Sequence, residues 1–142
     1  MDKSNNTKPV KSLFAVIFAL FIAAGTVETS YAQARIGSTS YDIISEFRSE
    51  GITWQTANDG EKYLACNLTR AFVCYFFDDD DRCSLTLVFP KRQGDLNFYC
   101  QKYNDEAVII SDTKWKLYLK EGILNIELIY TDEGSYFFRI WE

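Results

Sequence analysis

KWKLYLKEGILNIELIYTDEGSYFFRIW, residues 114–141, alternates apolar and polar side chains through three runs separated by two glycine-containing turns. Successive side chains of a strand point to opposite faces, so this alternation is the pattern of antiparallel strands with one buried face. A two-residue loop at Glu121-Gly122 pairs Lys120 with Ile123 and sets Trp115, Leu117 and Leu119 against Leu128, Ile126 and Leu124. Lys116 then meets Glu127 on the other side. A three-residue loop at Asp132-Glu133-Gly134 pairs Leu128 with Phe138 and Ile126 with Ile140 inside, and Glu127 with Arg139 outside. The two turns agree on one buried face.

The opposite face carries a charge ladder of Lys116, Glu127 and Arg139. Tyr118, Asn125 and Trp141 flank it on one side, and Lys114, Ile129 and Phe137 on the other. Cross-strand charge pairs are ordinary, each contributing a few tenths to about 1 kcal/mol. Large apolar groups on an open sheet face are less ordinary, because patches of roughly a few hundred Å² are the scale of interaction sites. Tyr118, Asn125, Glu127, Phe137, Arg139 and Trp141 are therefore the candidate binding residues, for a protein partner or for a second copy of the chain.

Upstream, Val108 to Ile110 supplies a fourth strand. Before it, Asp95 caps a helix whose Leu96, Tyr99, Cys100 and Tyr103 recur at helical spacing, and Pro90 stops the preceding strand. The first half repeats this order. Ser40 caps a short helix with Ile43, Ile44 and Phe47 on one face and Gly51 past its end. Asn58-Asp59-Gly60 then makes a hairpin pairing Trp54 with Leu64 and Ile52 with Cys66. A turn centred on Arg70 sets Cys66 opposite Cys74, and a loop at Asp78–Asp81 sets Phe76 opposite Cys83 and Phe72 opposite Leu87. The inward face predicted for this half is Trp54, Leu64, Cys66, Leu68, Phe72, Cys74, Phe76, Cys83, Leu85, Leu87 and Phe89.

The predicted fold class is α+β: two tandem helix-then-four-antiparallel-strand units, residues 41–90 and 94–142, forming a two-layer helix-on-sheet domain. This order of elements resembles the β-lactamase-inhibitor-protein-like group, with one helix per unit where that group usually has two. The segments Leu96-Asn97-Phe98-Tyr99, Trp115-Lys116 and Ile126-Glu127-Leu128-Ile129-Tyr130 resemble small exported proteins of Bacteroides-type bacteria. The resemblance implies binding to another protein in the envelope or outside the cell, and it brings no functional residue with it.

At the start of the chain, Lys3, Lys8 and Lys11 precede an apolar run from Leu13 to Ala24, and Ala32-Gln33-Ala34 follows. A basic head, an apolar stretch too short to span a bilayer and small residues at the cleavage positions read as a secretory signal peptide over residues 1–34. Residues 35–40 are then a flexible arm and 41–142 a single domain. The expected location is periplasmic or secreted. No further apolar run is long enough to cross a membrane, so no membrane span is expected after signal removal.

Beyond Ala34 the chain has 12 Lys plus Arg against 18 Asp plus Glu, an acidic balance that disfavours nucleic acid as a partner. It has no His, which removes the usual general base and the commonest zinc ligand. Cys66, Cys74, Cys83 and Cys100 lack paired metal-binding spacing. In an exported protein they become disulfide candidates, with Cys66 to Cys74 the simplest pairing and free buried thiols the alternative. Asp78–Asp81 lacks the alternating ligands and the glycine of a calcium loop. No metal and no cofactor are expected. The sequence thus reads as an exported, non-enzymatic protein-interaction domain. The alternatives are a glycan-binding module in which Tyr118 and Trp141 stack on sugar rings, and a small carboxylate-dependent hydrolase.

Overall fold

Leu96, Tyr99 and Tyr103 fall on one stripe of a helix and need an apolar surface to cover; the strands supply it. The computed structural model describes residues 34–120 and 122–142, so the signal-peptide reading lies, apart from Ala34, outside the described residues. The elements are α1 (Ser40–Glu46), a 3-10 turn (Arg48–Glu50), β1 (Thr53–Thr56), β2 (Lys62–Asn67), β3 (Ala71–Phe77) and β4 (Cys83–Pro90). They continue with α2 (Gln93–Glu106), β5 (Val108–Ser111), β6 (Lys114–Leu119), β7 (Gly122–Tyr130) and β8 (Tyr136–Trp141).

All eight strands belong to one antiparallel sheet in the order β1-β2-β3-β4-β8-β7-β6-β5. This corrects the predicted fold class of two tandem helix-then-four-strand units. Thr86 pairs with Ile140 and Val88 with Phe138 across β4 and β8, so one hydrogen-bond ladder runs through both halves. Each half would otherwise end in an exposed strand edge, and pairing the two last strands satisfies both. The helices are also unequal. The seven residues of α1 bury only Ile43, whereas the fourteen-residue α2 buries Asp95, Leu96, Tyr99 and Tyr103 and packs against β4, β5 and β6.

The core under α2 is aromatic. Phe138 lies 5.0 Å from Tyr103 edge-on, 6.0 Å from Tyr99 and 6.1 Å from Trp115, measured between ring centres. The Trp115 indole N–H donates to Asn104 at 2.8 Å, which keeps the ring's polar end satisfied beside the helix. Under α1, Phe47 stacks on Tyr75 at 6.2 Å, among buried Ile43, Leu64, Cys66 and Val73.

Both predicted helix caps move by a residue or more. Thr39, not Ser40, caps α1 by accepting from the Asp42 N–H, while Ser40 opens the helix and donates to Asp81. Arg92 is the N-cap of α2, and Asp95 sits inside the first turn, where its buried carboxylate accepts from Arg92 at 3.0 Å and Arg70 at 3.2 Å. The Arg92 hydrogen bond outweighs desolvation, and with Arg70 it holds the Asp95 pKa below the usual carboxylate value. A folded-state pKa below the unfolded one stabilises the protein above the unfolded value, about 4, and that contribution is lost as pH falls through the folded value. Asp95→Asn is therefore expected to lower stability at neutral pH and to flatten the loss in acid. Unfolding midpoints measured from neutral pH downward check this; parallel wild-type and variant curves would contradict it.

Residues 35–40, expected to be a flexible arm, are tied down. Arg35, Ile36 and Ser38 are buried, as is Ala34 before them. The Gly37 N–H donates to the Cys83 carbonyl and the Cys83 N–H to the Ser38 carbonyl, each at 2.8 Å, and Thr39 bridges to Arg82. Gly37 has φ +86°, a left-handed conformation that glycine adopts without the usual penalty. The buried Thr86 hydroxyl donates to the Ala34 carbonyl, and the Arg35 guanidinium bonds Glu46 at 2.5 Å. Burial pushes the Glu46 pKa up in spite of Arg35. Small polar residues looked unstructured because their partners lie on β4 and α1, distant in sequence.

Candidate functional site: the outer sheet face

Phe47 of the α1 C-terminus packs on Tyr75, and α2 packs on Trp115 and Phe138; Tyr75, Trp115 and Phe138 all point to one side of the sheet. Neither helix covers the other side. The six candidate binding residues all stand on that outer face. Asn125 pairs with Trp141, Glu127 with Arg139 and Ile129 with Phe137, each pair one rung of the β7–β8 ladder. The β7–β8 register is the one predicted from the Asp132-Glu133-Gly134 turn. On β6 the register is displaced by two residues, with Trp115 opposite Ile126, Lys116 opposite Asn125 and Lys114 opposite Glu127. A shift of two preserves the faces, so Tyr118 remains outward, 58 % exposed, opposite Ile123.

The first half contributes to this face in a way the sequence reading missed. Cys66 pairs with Val73 rather than Cys74, because the β2–β3 connection closes between Leu68 and Ala71 and leaves a two-residue loop. That slip of one turns Val73 and Tyr75 inward and Phe72, Cys74 and Phe76 outward. On β4, an irregularity in the pairing of Phe76 with Leu85 and Phe77 with Cys83 has the same effect. Cys83 stays buried, but Thr86 and Val88 replace Leu85, Leu87 and Phe89 on the core side. Phe72, Cys74, Phe76, Leu85, Leu87 and Phe89 therefore join the outer face, correcting their predicted inward placement. Tyr63 stacks on Phe76 at 5.1 Å, and Phe89 meets Phe137 at 5.2 Å. The rings shield one another sideways and stay half-buried, and among the described residues no layer lies above them.

The register also separates the predicted disulfide. Cys66 is buried on the helix side, Cys74 stands outside opposite Leu87, and no disulfide joins the four cysteines among the described residues. Burial pushes the Cys83 thiol up to about 12 and raises Cys74 and Cys100, so these sulfurs are poor nucleophiles.

The charged end of the outer face forms a groove of about 380 Å³ whose lining includes Ile110, Lys114, Lys116, Asn125, Glu127, Arg139 and Trp141. The Arg139 guanidinium lies over the Trp141 ring at 4.3 Å and bonds Glu127 at 3.2 Å; Lys114 stands 3.9 Å from the same carboxylate. Of the predicted residues, Asn125, Glu127, Arg139 and Trp141 meet in this groove. Phe137 belongs instead to the apolar field with Phe89, and Tyr118 stands one rung beyond the groove lining. A second hollow, about 530 Å³, lies at the β1 end between Trp54, Gln55, Thr56, Lys62 and Phe77. Neither hollow brings two carboxylates together.

At the Asp78–Asp81 hairpin the Asp78 carboxylate accepts from the Asp80 and Arg82 backbone N–H groups, so it closes its own turn. No three potential ligands cluster to hold a metal ion, and no helix is long and apolar enough to cross a membrane, among the described residues. In comparisons with known proteins, the chain matches no family model, no curated protein and no solved structure.

Proposed function

We propose that the protein is an exported, non-enzymatic interaction domain that binds a protein partner through its outer sheet face. The observation that carries this reading is the continuity of outward apolar side chains from Phe72 through Leu87 and Phe137 to Trp141, on the side that neither helix covers. Six strands about 4.8 Å apart, with about six residues each at about 3.4 Å, offer a face of roughly 600 Å². That is close to the roughly 800 Å² each partner contributes to a standard interface. Export is supported by Lys3, Lys8 and Lys11 before the Leu13–Ala24 run. Sugar stacking is less well supported, because Arg139 already occupies one face of Trp141.

A photo-crosslinking residue placed at Leu87, at the centre of the face, tests this against one at Gln101, exposed on α2. The expected result is a discrete protein adduct from Leu87 in envelope or culture fractions and none from Gln101. Equal yields from both positions, or none from either, would remove the reading.

A further inference from the structure

Resting on that interaction face, we infer that its partner presents an acidic segment, with carboxylates seated on Lys114, Lys116 and Arg139. Charge is distributed against the overall composition. Beyond Ala34 acids outnumber bases 18 to 12, yet among the described residues the charged strand positions facing outward are these three cations and one acid, Glu127. Lys91 adds a further positive charge at the other end of the face, 4.8 Å over the Phe72 ring.

The three cations are under-compensated. Arg139 and Lys114 share Glu127, and Lys116 makes no ion pair among the described residues although it is only half-exposed in the groove. A protein partner that covered this surface without supplying anions would strip water from at least one unmatched ammonium group, a costly step. An acidic segment turns the same burial into charge-assisted hydrogen bonds, and its apolar side chains have Ile110 and Trp141 to rest on. The same charge excess opposes a symmetric face-to-face dimer, which would bring like charges together.

The probe is a fluorescein-labelled random copolymer of glutamate and tyrosine, titrated into the protein by anisotropy. A lysine–tyrosine copolymer and polygalacturonate serve as comparators. Saturable binding to the glutamate copolymer is expected, weakening at least about tenfold in Lys114→Gln/Lys116→Gln and with rising salt. Lys62→Gln, in the other hollow, should bind as wild type does. An unchanged unfolding midpoint in the double variant confirms that any loss is not misfolding. The proposal is overturned by equal binding of the lysine copolymer, by an unaffected double variant, or by binding of polygalacturonate alone, which would make the ligand a glycan. Self-association abolished in the same variant would make the occupant a second copy and overturn it as well. If the protein crosslinked through Leu87 binds the double variant as tightly as wild type, the acidic segment falls and the interaction face stands. If Leu87 yields no adduct, the face itself falls.

Discussion

Phe138→Ala is expected to lower the free energy of unfolding by about 3–5 kcal/mol, the range for deleting a fully buried aromatic side chain. The ring is fully buried and is the common contact of Tyr99, Tyr103 and Trp115, so it joins α2 to β6 and β8 at one point. Its neighbours are large rings already held by one another and by the Trp115 to Asn104 hydrogen bond, which limits their collapse into the space left behind. The control is the adjacent Phe137→Ala. That side chain lies on the opposite face, in contact with Phe89, and its loss should cost only about 1 kcal/mol, the scale of one aromatic pair. Urea unfolding of the two variants, compared at unchanged slope, measures the contrast. Equal costs would mean that the two faces of β8 are equally buried and that neither is an open face.

Glu46→Ala is expected to cost about 3 kcal/mol, the lower end of the range for removing one member of a buried ion pair. The Arg35 side chain is 3 % exposed, and its guanidinium lies over the Phe47 ring at 5.4 Å, so it cannot reach water without moving the segment before α1. Glu46 is 19 % exposed, which places the loss at the lower end. Replacing both members of a buried pair by apolar side chains of similar volume removes the desolvation penalty with the attraction, so the double replacement Arg35→Met/Glu46→Leu should recover part of the loss. Amide exchange at Gly37 and Cys83, which hold the segment to β4, should accelerate in the single variant and return in the double. A neutral Glu46→Ala would show that Arg35 finds another place and that the pair does not anchor the segment.

The β7–β8 register was readable because Asp132-Glu133-Gly134 specifies its own turn and the flanking residues differ sharply between faces. Leu128 pairs with Phe138 inside, and Glu127 with Arg139 outside. The shift of two on β6 did no harm to the candidate site, since charge and apolarity repeat with the same period. In β3 and β4 that contrast is missing. AFVCYFF is apolar on both sides, so nothing in its alternation distinguishes Val73 and Tyr75 from Phe72 and Phe76. A one-residue difference in the Leu68–Ala71 turn decided which set faces the helices, and half of the outer apolar surface followed from it.

Side-chain period and turn chemistry within a few residues were enough to place the strands, the two helices and the polarity of the β7–β8 faces. They were enough as well to put Asn125, Glu127, Arg139 and Trp141 on one face. The pairing of β4 with β8, the anchoring of residues 34–39 and the union of the two outer faces were decided only by the tertiary structure. Each joins backbone or side-chain groups dozens of residues apart, whose partners are chosen by the edges left unpaired and the apolar area left uncovered once the local elements exist.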